Sequence, residues 1–285
     1  MRNVKVLILV TVLLSVSLAC GSGGLGVVVG SGKVTEEDVS VSNFDQIDVQ
    51  GIGTVYVEIG DDEAVRIEAE DNLMEYLEVE VRGDTLEIRQ RPGVGLRPTR
   101  ELNFYVTAKA LDGLALSGAA DVEVKDDLES KKAFTLRLSG AGDIKMADLE
   151  AESISMKLSG TGDLAAKKWD ATSAEIAVSG AGSTKVEAIS ADTLETKISG
   201  TGNVTVSGGE VEKQTVNISG AGDYRGGDMK SREAEVHVGG VGGATLDVDE
   251  YLNVTISGAG SVRYSGDPRV EKSVSGVGDV KQVEQ

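Results

Sequence analysis

The amino-acid sequence predicts an all-β chain, a single-stranded parallel β-helix of about nine to twelve coils with ~20-residue repeats. Three observations predict it. A Ser-Gly-x-Gly tetrad, or a close variant, begins at Ser117, Ser139, Ser159, Ser179, Ser199, Ser219, Gly239, Ser257 and Ser275, at spacings of 22, then 20 five times, then 18 twice. Around each tetrad, apolar and polar residues alternate with the period of a half-buried strand. The composition fits ordered β structure with many tight turns: 37 Gly, only 3 Pro and 4% aromatics. Disordered or collagen-like chains carry far more proline or a strict glycine triplet.

Taken in order, residues 1–19 read as a signal peptide. Arg2 and Lys5 precede the apolar run Val6–Leu14, which is too short for a confident membrane span. The pattern ends at Cys20, the only cysteine of the chain. Ala19-Cys20 is similar to the cleavage site of a bacterial lipoprotein, although Ser17 stands where leucine is usual. Cys20 is therefore the expected lipidation site. The lipid anchor would be the only contact with a membrane, and Gly21, which is not acidic, favours sorting to the outer membrane or cell surface. Residues 20–32, rich in Gly and Ser, would form a flexible tether.

The β-helix domain is expected over 33–285. Its first part, 33–110, is irregular. Alternating runs at 64–69, 77–81, 85–88 and 102–107 are separated by Asp71-Asn72, by Gly83-Asp84 and by the loop around Pro92-Gly93. Terminal repeats of solenoids are often atypical because they cap the stack. The regular part, 111–285, repeats strand, glycine corner, strand and polar return. One residue before the tetrads stand Leu138, Leu158, Val178 and Ile198; three before stand Leu136, Met156, Ile176 and Thr196. Such a unit cannot bury its apolar face alone, so copies must stack, about 4.8 Å apart along the axis. The corner glycines are Gly118, Gly140, Gly142, Gly160, Gly162, Gly180, Gly182, Gly200, Gly202, Gly220, Gly222, Gly258, Gly260, Gly276 and Gly278. Each is expected to supply either positive φ or close backbone approach.

The Ser-Gly-x-Gly-Asp repeats, with Phe44-Asp45-Gln46-Ile47 and Gly51-Ile52-Gly53 before them, resemble the bacterial "putative auto-transporter adhesin, head GIN domain" family over residues 33–284. The resemblance implies an envelope-exposed β-helical domain. Autotransporters carry a C-terminal membrane barrel. None follows the repeats here, so lipid anchoring would replace it.

Few residues point to chemistry. A formal charge of −19 makes nucleic acid an unsuitable partner and argues against docking on acidic polysaccharide or anionic lipid. Asp121, Asp143, Asp163, Asp223 and Asp279 follow the tetrads, a pattern distantly similar to calcium-binding glycine repeats. The period of 20 and the interruptions at Ser183, Asn203, Gly243 and Ser261 favour a turn-forming role. Weak calcium bridging between Asp121, Asp143 and Asp163 is the alternative; no metal or other cofactor is expected. The single histidine, His237, lies in an outward column with no nucleophile motif beside it. Trp169, Tyr224, Tyr251 and Tyr264 are scattered, which suits a sugar-cleaving groove poorly. The expected function is a surface binding or adhesion module for a glycan or an envelope or host protein. A structural scaffold is the alternative and a polysaccharide-acting enzyme a lesser one. Arg91, Arg97 and Arg100, standing out on an acidic background, are the candidate ligand contacts.

Overall fold

The computed structural model describes residues 26–284. The signal peptide, Cys20 and the first part of the tether lie outside the described residues.

The repeats form a β-solenoid of about eight turns with ~20-residue repeats, and the strand pairings within the repeats are parallel, with register shifts between Ser130 and Ala133 and between Gly226 and Glu233. Each turn lays down three short ladders. In the turn 149–166, Leu149–Ala151 pairs with Trp169–Ala171 on what we term the return face. Ser153–Leu158 pairs with Ser173–Val178 on the leading face, before the tetrad. Leu164–Ala166 pairs with Thr184–Val186 on the trailing face, after it. Within a ladder every second residue is buried. At the return-to-leading corner the alternation slips by one, so that Ala151 and Ile154 both face inward.

The core is a set of axial columns. Leu136, Met156, Ile176, Thr196, Val216, Val236 and Val254 stand directly on one another, and all are fully buried. A buried aliphatic side chain contributes about 1.5–3 kcal/mol relative to exposure, so the columns supply the cohesion that a single turn lacks. The interior is not purely aliphatic. Trp169, Tyr224, Phe104 and Phe134 are also completely buried. Tyr224 Oη donates to Gln214 Oε1 (3.0 Å), Gln214 Nε2 donates to Ser231 Oγ (2.6 Å), and Ser231 Oγ donates to the Asp247 carbonyl (2.7 Å). This buried polar thread is satisfied along its length, as a low-dielectric interior requires.

The tetrad glycines answer to close approach rather than to positive φ; none of them lies in the left-handed region. At Gly180, a Cβ would stand 2.0 Å from the carbonyl oxygen of Gly160 one turn below. The backbone ladder runs through the corner: the amides of Ser179 and Gly180 both donate to the Leu158 carbonyl (2.8 and 3.4 Å), and Ala181 donates to Gly160 (3.1 Å). Ala120 is tolerated at the equivalent position because it stacks on Gly53, whose φ of +104° breaks the shared geometry.

The irregular N-terminal part combines antiparallel strands with parallel pairing to the segment 46–59. Val34–Val39 pairs antiparallel with Ala64–Glu70, which pairs antiparallel with Asn103–Ala108. Leu77–Arg82 and Thr85–Gln90 form a hairpin around Gly83-Asp84. The segment 46–59 lies between these strands and the turn 113–124. The chain thus starts one turn in, folds a cap beneath it, and then climbs. A cap is needed because the end of a parallel stack exposes unpaired backbone and apolar interior. At the other end the last leading-face strand, Arg269–Val274, is left as an edge. There Lys272 occupies the inward column above Val254, and an inward charge discourages further strand addition.

The expected tether is not free chain from residue 26 onward. Val27–Val29 pairs parallel with Gly95–Arg97, Asn72 Nδ2 donates to the Val29 carbonyl (2.8 Å), and the Gly32 amide donates to Glu70 Oε1 (2.6 Å). These are backbone captures; Val27 and Val29 remain mostly exposed. Periodicity gives no sign of them, because the partners lie some forty to seventy residues away in the sequence.

Candidate binding faces

The three arginines singled out from the sequence lie in the N-terminal cap in different settings. Arg91 is held: its guanidinium lies 5.3 Å from the centre of the Tyr76 ring, donates to the Glu75 carbonyl (2.5 Å) and approaches Glu78 at 3.8 Å. Arg97 ends the short strand that captures residues 27–29. Arg100 contributes its amide to Glu70 (3.4 Å). Among the described residues neither Arg97 nor Arg100 forms an ion pair.

Glu70, which the sequence does not single out, is the hub of this region. It is buried and accepts hydrogen bonds from the Gly32 amide and from the Thr99 amide and hydroxyl. Burial alone works to raise its carboxyl pKa. The bonds from Thr99, Gly32 and Arg100 outweigh that and hold it below the ordinary value. A Cβ at Gly30 would meet the carboxylate in this position.

The aspartates after the tetrads form a side-chain ladder. Asp121 Oδ1 accepts the Asp143 amide (2.9 Å), Asp143 Oδ1 accepts the Asp163 amide (2.8 Å), and Asp163 Oδ1 accepts the Ser183 amide (2.6 Å). Asn203 and Asp223 do the same for Asp223 and Gly243. One oxygen of each carboxylate is thereby committed to the turn above. No group of three or more His, Cys, Asp or Glu among the described residues is arranged to hold a metal.

The outward columns differ from face to face. On the leading face a groove of about 520 Å³ is lined by Ser153, Ser173, Thr193, Glu175, Glu195 and Lys213. Beside it Lys197 pairs with Glu175 (3.0 Å) and Glu195 (2.9 Å), whereas among the described residues Lys213 of the groove and Arg137 and Lys157 of the same face form no ion pair. His237 lies on this face, its Nε2 3.1 Å from Glu235 Oε1. The corner between the return and leading faces is acidic, with Glu129, Glu150, Glu152, Asp170 and Asp192 around one shallow hollow. Of the scattered aromatics, Trp169 and Tyr224 serve the core, and Tyr251 donates to Glu271 (3.1 Å).

The trailing face carries basic residues along its whole length. Its outward column reads Lys145, Ala165, Lys185, Thr205, Arg225, Thr245, Arg263 and Lys281 in stacking register. Arg225 pairs with Asp223 (2.9 Å). Among the described residues Lys145, Lys185, Arg263 and Lys281 have no carboxylate partner. Sequence reading missed this row because net charge averages over faces. The signal was available as the residue six positions beyond each tetrad serine in the regular turns.

Comparison with solved structures gives matches along nearly the whole chain. A "putative adhesin" from Parabacteroides distasonis is 21% identical, with a TM-score of 0.69, covering 90% of this chain and all of the other. A "putative adhesin" from Parabacteroides merdae is 21% identical at a TM-score of 0.64, over 91% and 100%. A "putative lipid binding protein" from Parabacteroides distasonis is 24% identical at 0.57, over 90% and 100%. At these identities the likeness establishes the fold. No curated protein matches. The sequence profile described as "Putative auto-transporter adhesin, head GIN domain" matches residues 43–207 and 165–268. With the tetrads, the stacked turns and the profile in agreement over most of its length, the chain belongs to the head GIN domain family of auto-transporter adhesin type.

Proposed function

We propose that this chain is a binding module of the bacterial cell envelope, lipid-anchored at Cys20, that presents its solenoid faces to a ligand outside the membrane. Membership of an adhesin-type family supports the binding role. The observation that carries it is the trailing-face row, where Lys185 and Arg263 stand exposed without carboxylate partners among the described residues, and Arg225 between them is paired with Asp223, on an otherwise acidic protein. The N-terminal arginines Arg97 and Arg100 are a secondary contact in this reading.

The test is binding of the full chain, held in detergent, to an array of glycans, peptidoglycan fragments and matrix proteins. Saturable binding at micromolar or tighter affinity supports the module. A blank array from folded, β-rich protein favours the second reading, a structural envelope scaffold. The low aromatic content of the outward columns is the observation that favours that reading.

A further inference from the structure

We infer that the trailing-face row is a binding track for a linear acidic polysaccharide, one that carries a single carboxylate per disaccharide. The inference rests on the binding-module reading and names its ligand class.

The argument is one of spacing. Along the row cations alternate with threonines: Lys185, Thr205, Arg225, Thr245, Arg263. Neighbouring turns are about 4.8 Å apart, so successive cations are about 9.5 Å apart, and Lys185 to Arg263 spans about 19 Å. An extended glycan with one acid per disaccharide advances by about the same step. Each carboxylate would then meet a cation while the sugar between meets a threonine hydroxyl. The cation spacing slightly exceeds the screening length of about 8 Å at physiological ionic strength, so the row is tolerable without ligand.

The second observation concerns what lies beside the row. The adjacent outward column carries acids at Asp121, Asp143 and Asp163. Next to the cations it becomes Ser183, Asn203, Asp223, Gly243 and Ser261. Its carboxylate Asp223 gives one oxygen to the Gly243 amide and the other to Arg225, and Asp279 stands on Ser261 at the end of the column. Where the residue is Gly243, a groove of about 400 Å³ opens between Arg225 and Arg263, floored by Gly242 and Ala244 and edged by Thr245 and Ser261. The row is therefore positive locally although the chain is negative overall, and the acids of the return face lie beyond the corner. This revises what net charge alone suggests about acidic polysaccharide.

Other polyanions fit less well. Nucleic acid places its phosphates closer together, and no aromatic side chain stands in these columns to stack on a base. A membrane surface needs a broad basic patch, whereas the cations form a single file.

The test uses the full chain in detergent with hyaluronan fragments as probe, dextran as the neutral polymer and phosphatidylglycerol vesicles as the anionic surface. A fragment with three carboxylates is expected to bind at least tenfold more tightly than one with a single carboxylate, because linked contacts act together. Binding should weaken as salt is raised. The triple change Lys185→Gln, Arg225→Gln, Arg263→Gln should cost tenfold or more. The matched change Arg137→Gln, Lys157→Gln, Lys213→Gln on the leading face should leave binding unaltered. All six side chains are on the surface, and circular dichroism checks that both variants fold. The inference is overturned if the trailing-face triple binds hyaluronan like the parent, if dextran binds equally, or if only the vesicles bind. Binding elsewhere in the glycan and protein array with none to hyaluronan overturns this inference and leaves the module reading standing. A blank in every arm overturns both.

Discussion

Replacing Gly180 by alanine sets two effects of opposite sign against each other. Gly180 is not in the left-handed region, so its backbone accepts alanine, and loss of chain freedom in the unfolded state would stabilise by about 0.4–1 kcal/mol. Against this, the new Cβ would lie 2.0 Å from the Gly160 oxygen and 2.7 Å from the Ser159 carbonyl carbon. Ordinary contact begins at 3.4 Å. The turn must therefore lift by roughly 1.4 Å, the gap between that distance and the one observed. Such a lift stretches the bonds from Ser179, Gly180 and Ala181, now 2.8, 3.4 and 3.1 Å, past useful range. At about 1 kcal/mol each, with some loss of core packing, the cost is about 3–5 kcal/mol. The clash wins, and a net loss of about 2–4 kcal/mol is expected. Urea unfolding of the full chain, followed by far-ultraviolet circular dichroism, measures it. Gly83→Ala is the control: its φ is +68° with open space around the Cβ, so only the conformational cost of about 1–2 kcal/mol applies. If Gly180→Ala is neutral or stabilising, or costs no more than Gly83→Ala, the close-approach account of the tetrads is wrong.

Three further outcomes are expected. Asp163→Ala removes the acceptor of the Ser183 amide, which now donates at 2.6 Å, and should cost about 0.5–1.5 kcal/mol in urea unfolding. Asp163→Asn should restore most of it, because Asn203 already fills the same role for Asp223. Thr196 is fully buried in an aliphatic column and its hydroxyl has no partner, so Thr196→Val should raise stability by about 1 kcal/mol; a loss of that size would mean the hydroxyl is satisfied after all. The Glu70 carboxyl is held below its ordinary value of 4.5, so the folded state binds its proton less readily than the unfolded one. The stability it contributes is present above pH 4.5 and is lost as pH falls through the folded value. Proteolysis of the 26–33 segment should therefore rise on acidification below that point. Glu70→Gln should show the raised susceptibility already at neutral pH.

The leading-face columns were legible in the sequence because a solenoid translates sequence period directly into spatial stacking. Leu136, Met156 and Ile176 are neighbours in space because they are repeats in sequence. The aspartates after the tetrads were legible as a column, but not their bonding: whether Asp143 faces an ion or the amide of Asp163 depends on the height of the next turn, which is set by the stacking. The reason for the glycines was half legible, since composition cannot distinguish positive φ from a carbonyl 2 Å away. Arg91 was legible as a candidate contact, but not its setting beside Tyr76, Glu75 and Glu78.

By itself, the sequence determined the repeat, its period, which residues of each turn face inward, and that the chain must stack to bury them. Those are local properties, set by alternation and by the absence of a side chain at the corners. The tertiary structure alone decided how the ends are closed and how charge is divided among the faces. The cap is made of antiparallel strands whose partners lie far apart in the chain, with 46–59 inserted between the cap strands and the turn that follows. The cationic row exists only once Lys185, Arg225 and Arg263 are brought into one file by turns of the stack. Pairing and electrostatics act between residues that are close in space, and at these places closeness is created by the fold.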